Sequence, residues 1–90
     1  MKRLNLGIIS IDGRLIFAKD GFASGEFTDV YKTEHNLNEY VLSVSYSNPP
    51  TPVFQLFRQY TNEDKRLLRD RLFETSNFLK IEKYIKQYLL

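Results

Sequence analysis

The chain has 90 residues, 42% of them hydrophobic and 27% charged, with a formal net charge of +2. That length makes one domain, residues 1–90, and buries only about 60–65% of its unfolded surface. The apolar share excludes whole-chain disorder, and the lack of cysteine excludes disulfides, a thiol nucleophile and cysteine-ligated zinc or iron–sulfur centres.

The N-terminus, MKRLNLGIISIDG, has two positive charges and a short apolar stretch that Asn5 interrupts and Asp12 ends. A secretory signal needs a longer apolar region, and no run approaches the ~18 apolar residues of a membrane span. The expectation is a cytoplasmic protein with no membrane partner. Richness in Asn, Lys, Ile, Phe and Tyr fits AT-rich coding and is compatible with a phage or mobile-element origin. Charge is −1 over residues 1–50 (five Lys/Arg, six Asp/Glu) and +3 over residues 51–90 (eight and five), a mild asymmetry.

Residues 4–11 and 14–19 read as strands joined by Asp12-Gly13, the dipeptide of a two-residue hairpin turn. That loop sets Ile11 opposite Arg14, Ser10 opposite Leu15, Ile9 opposite Ile16 and Ile8 opposite Phe17. Leu6, Ile8, Leu15 and Phe17 then share one face; Gly7, Ile9, Ile11, Ile16 and Ala18 share the other. Both faces are apolar near the turn, and two apolar faces need two covers. C-terminal helices would supply one. The second face, Ile9, Ile11 and Ile16, needs another segment of the chain (strand three or the Pro-rich loop folded back), a second copy or a different protein as its cover; a partner is the favoured reading, joined by Phe22 from the loop that follows.

"DGFASGE" lacks the spacing of a phosphate-binding loop or a nucleophile elbow. Residues 27–33 form a predicted third strand, 34–39 a turn. Residues 40–46 form the cleanest strand, with Tyr40, Leu42, Val44 and Tyr46 on one face. Pro49, Pro50 and Pro52 are expected to end the sheet. Over 52–60, Thr51 is placed as an N-cap and Val53, Leu56, Phe57 and Tyr60 make a helical stripe, so a short helix is favoured and a fifth strand is the alternative. Thr61 and Asp64 form an acidic version of a capping box ahead of a helix over 62–75, with Leu67, Leu68, Leu72 and Phe73 inward. A break at Thr75-Ser76-Asn77 precedes a second stripe of Phe78, Ile81, Ile85, Tyr88 and Leu89.

No catalytic, metal or cofactor residues stand out. His35, the only histidine, lies in a polar turn, and the carboxylates are scattered with no favoured pair. Arg58, Lys65, Arg66 and Arg69 form a basic cluster, read either as a solvated helix face or as a phosphate contact. A helix-turn-helix gains little support, because Lys80, Lys83 and Lys86 offer few base-reading side chains.

The sequence therefore predicts an α+β domain: an antiparallel sheet of about four strands, in two hairpins, packed on two to three C-terminal helices. The expected function is a small non-enzymatic protein that binds another protein, as an inhibitor, adaptor or immunity-type factor, with a homodimer as one form. The alternative is a nucleic-acid-binding module for single-stranded DNA or RNA, using the basic C-terminal helical region. No cofactor is expected.

Overall fold

The structure, a computed structural model, describes residues 7–46 and 51–90. Among these it contains β1 (Ile8–Ile11), β2 (Leu15–Lys19), β3 (Thr28–His35), β4 (Asn38–Ser45), β5 (Val53–Thr61), β6 (Leu67–Thr75) and α1 (Phe78–Tyr88). The strands form one six-stranded antiparallel sheet in chain order. The expected four strands on two to three helices are therefore corrected to six strands and a single short C-terminal helix.

The first correction is one of register. Asp12 and Gly13 have φ of 56° and 67°, as a type I′ turn requires, and Arg14 N–H donates to Ile11 O at 3.1 Å. Arg14 nevertheless stays out of the ladder, and Leu15 pairs with Ile11. This one extra residue exchanges the faces of one strand relative to the other. Ile9 faces Phe17 and Ile11 faces Leu15, and all four are buried. Ile8, Ser10, Ile16 and Ala18 turn outward. The hairpin has one apolar face and one mixed face, so Ile9 and Ile11 belong to the core.

The second correction concerns residues 52–75. Pro52 precedes β5 directly and does not end the sheet; residues 47–50 lie outside the described residues. In β5, Phe54 and Leu56 pair with Val44 and Leu42 and are buried, which favours the strand over the short helix. The expected helix over 62–75 is instead a hairpin turn and β6. Type I turns place their central residues near helical dihedrals, so Asn62-Glu63-Asp64 starts like a helix N-terminus. Lys65 then adopts φ 61°, its N–H donates to Asn62 O at 3.0 Å, and Asn62 Oδ1 accepts from Arg66 N–H at 2.9 Å. A type I turn closed by a left-handed residue is a three-residue hairpin loop.

The leucine stripe that imitates a helix has its own cause. Leu56 pairs with Phe73 and Phe57 with Arg71, which leaves Leu72 as a bulge. The bulge changes the parity of the strand. Leu68 and Phe73, five positions apart, thereby lie on the same side of the sheet, a spacing that simple alternation forbids, although only Phe73 packs on the core and Leu68 is 37% exposed.

The core is one row after another across the sheet: Tyr31, Leu42, Leu56 and Phe73 in register, beside Val44 and Phe54. Ile81 and Ile85 of α1 close over them with no residual exposure. Asn77 caps α1, its side chain accepting from Leu79 N–H at 2.9 Å, so the break falls where the sequence predicts it; of the predicted stripe Ile81 and Ile85 are buried and Phe78 and Leu89 partly buried, while Tyr88 is exposed. The helix touches β1, β5 and β6, while β2 joins β3 through two residue pairs only.

Candidate functional site

Residues 20–27 connect β2 to β3 and are organised around Asp20. Its Oδ1 accepts from the backbone N–H of Phe22 at 3.0 Å and of Ala23 at 3.3 Å. Its Oδ2 lies 3.0 Å from Lys32 Nζ. The Lys32 ammonium, then the Ala23 and Phe22 amides, hold the Asp20 carboxyl below its ordinary value of 3.8. Ser24 extends the frame: its N–H and hydroxyl both donate to Asp20 O, at 3.0 and 2.8 Å, and its Oγ accepts from Val30 N–H at 2.9 Å. Gly25 N–H donates to Thr28 O at 2.8 Å.

This frame displays Phe22 fully exposed. Phe27, where the loop rejoins the sheet, is 57% exposed. Ile8 and Ile16, diagonal neighbours on the outward side of the β1–β2 hairpin, are 55% and 51% exposed. Ile8 pairs with Ala18, next to the end of β2 from which the loop departs. Of the four residues singled out from the sequence for partner binding, the structure keeps Ile16 and Phe22 at the surface and withdraws Ile9 and Ile11. Ile8 was missed; a three-residue reading of the Asp12-Gly13-Arg14 turn exposes it at once.

The basic cluster divides. Arg58 is on the core side of β5, 3.4 Å from Asp70 across the strands and 5.1 Å from the Tyr60 ring centre. Arg69 is on the opposite side, where Nε donates to Gln59 Oε1 at 2.7 Å and Gln59 Nε2 donates to Glu39 Oε1 at 2.9 Å. Lys65 and Arg66 sit in the turn between. The four residues share one hairpin and no common face. They lie on strands and a turn, so the basic helix expected there does not exist.

A different basic and aromatic surface lies between α1 and β6. The Phe73 and Tyr84 rings stack with centroids 4.6 Å apart and planes at 9°; Tyr84 and Tyr88 follow at 4.6 Å and 37°. They floor a groove of about 330 Å³ that Lys80, Lys83 and Gln87 border. The sequence signal for it was present, since Lys80, Tyr84 and Tyr88 recur every fourth residue on one helix line.

A second groove, of about 350 Å³, sits at the β3–β4 turn end of the sheet, lined by Leu37, Tyr60, Leu67, Glu34, Glu39 and Gln59 among others. Among the described residues no group of three or more His, Asp or Glu side chains is placed to hold a metal ion. Among the same residues no helix is long and apolar enough to cross a membrane. The chain matches no protein-family model, no curated protein and no solved structure.

Proposed function

We propose that the protein is a non-enzymatic binding protein that acts on another protein, as an inhibitor, adaptor or immunity-type factor, with Phe22 as its anchor. One observation carries this reading. A fully exposed phenylalanine stands on a loop whose conformation is already fixed by hydrogen bonds to Asp20 and Ser24. Rigid aromatic side chains dominate interface energetics, and a preformed loop spares the ordering cost of binding. Ile8 and Ile16, each about half exposed, supply further apolar area, with roughly half of the ~1.5–3 kcal/mol of full burial still to gain.

The test is a photo-crosslinking residue at position 22, expressed in the host that carries the gene, beside the same residue at exposed Glu63. The expected result is one discrete adduct from position 22 that Ile16→Asp abolishes. An adduct of twice the 10.7 kDa chain mass identifies the partner as a second copy. Identical adducts from both positions, or none from position 22, overturn the proposal.

A further inference from the structure

We propose that the shelf formed by Phe73, Tyr84 and Tyr88 binds a single-stranded nucleic acid, with a base stacked on Tyr88 and phosphates held by Lys80 and Lys83. This surface shares no residue with the Phe22 loop, and the inference does not depend on that reading.

The aromatic series has an open end. Phe73 and Tyr84 are half-buried and lie face to face, whereas Tyr88 is 65% exposed. A further flat ring can continue the series, and every nucleobase has a π-face of that kind. The groove beside it, about 330 Å³, is bordered by two lysines and lined by no carboxylate. Glu82, the one acidic residue of α1, is occupied by Lys86 at 3.4 Å. Among the described residues no carboxylate lies within ion-pair distance of Lys80 or Lys83. Two unneutralised cations beside an open aromatic face complement a polymer that alternates anionic phosphates with flat bases. An acidic peptide would satisfy the lysines and leave the ring unused. A duplex keeps its bases stacked on one another and out of reach of Tyr88.

Fluorescence anisotropy with labelled dT12 and rU12, at low salt and over a salt series, tests this. Both single strands are expected to bind, and a duplex and a polyglutamate peptide to bind more weakly. Tyr88→Ala is expected to weaken binding about tenfold, the scale of one stacking contact. Lys83→Gln is expected to lower the salt slope by about 0.7, one phosphate contact to a single strand. Tyr88 and Lys83 are exposed, so unchanged far-ultraviolet circular dichroism is expected of both variants. Failure of either oligonucleotide to bind at low salt overturns the inference. So does binding indifferent to Tyr88→Ala, or polyglutamate binding as tight as dT12, which would assign the shelf to an acidic protein. None of these results bears on crosslinking from position 22.

Discussion

Alanine at Ile9 and at Ile16 separates the two registers of the first hairpin. With a two-residue loop these side chains face each other and respond alike. In the observed register Ile9 pairs with Phe17 and is 4% exposed, while Ile16 pairs with Ser10 and is 51% exposed. Truncating a buried isoleucine to alanine costs ~2–5 kcal/mol, and Ile9, on the short edge strand, is placed at about 3. Ile16 has roughly half its burial to lose, about 1 kcal/mol or less. For a domain of this size 1 kcal/mol moves Tm by roughly 4–8 °C, so Ile9→Ala lowers Tm by about 12–24 °C and Ile16→Ala by no more than about 8 °C. Thermal melts followed by circular dichroism, with urea titrations at a fixed temperature, give both numbers. Ile11→Ala is expected to behave like Ile9→Ala, and Ile8→Ala like Ile16→Ala. Equal losses at Ile9 and Ile16 would refute the three-residue turn and restore the two-sided apolar hairpin.

Leu37 has φ 66° and is fully exposed, so Leu37→Gly removes left-handed strain at no loss of burial; a gain of about 1 kcal/mol in urea unfolding is expected. Asn77→Ala removes the N-cap of α1 and is expected to cost about 1 kcal/mol, read by the same titration. The Asp20 carboxyl is held below its ordinary value, chiefly by Lys32, so its contacts are intact above the ordinary carboxylate range and are lost as pH falls through the lowered value. The Phe22 and Ala23 amide resonances are expected to move together in that acid range, and Asp20→Asn to shift the same resonances at neutral pH.

Where alternation or helical period was undisturbed, the sequence was legible. Strand β4 and helix α1 follow from single patterns, Tyr40-Leu42-Val44 and Phe78-Ile81-Ile85, with nothing inserted. The failures fall where one residue alters parity. Arg14 adds a residue to the first turn, and Leu72 adds one to β6; the first inverts a face and the second turns alternation into something resembling a helical stripe. Lys65 in the left-handed region has the same effect on Asn62-Glu63-Asp64, since nothing in a lysine announces positive φ. The candidate surfaces inherit these errors. The two-residue register turns Ile9 and Ile11 toward a partner, and Lys65, Arg66 and Arg69, with Arg58 upstream, read as helical where the chain forms a hairpin. Phe22 was legible because it stands in a loop where neither period applies.

The edges of the sheet bear on how a partner can bind. β1 is four residues long, and β6, nine residues long, exposes Arg69, Asp70 and Arg71 before the bulge at Leu72. A two-fold strand pairing centred on Asp70 would set that residue against its own copy and Arg69 against Arg71. Like charges directly opposite are unfavourable, and charged, bulged edges resist strand addition. Recognition through the backbone is disfavoured there, which leaves side-chain surfaces such as the Phe22 loop. The consequence is a separation of effects. Phe22 is fully exposed and makes no contribution to the core, so Phe22→Ala is expected to leave Tm within about 4 °C, the range of ordinary surface changes. The same change is expected to weaken the partner complex by about 2 kcal/mol or more, roughly thirtyfold, the loss typical of an aromatic anchor. Isothermal titration with the crosslinked partner, purified, measures the second effect. Asp20→Ala keeps the ring and releases the loop, so it is expected to weaken binding by a smaller factor through the restored ordering cost. Full affinity in Phe22→Ala would show that the exposed ring is no anchor, whatever else the loop does.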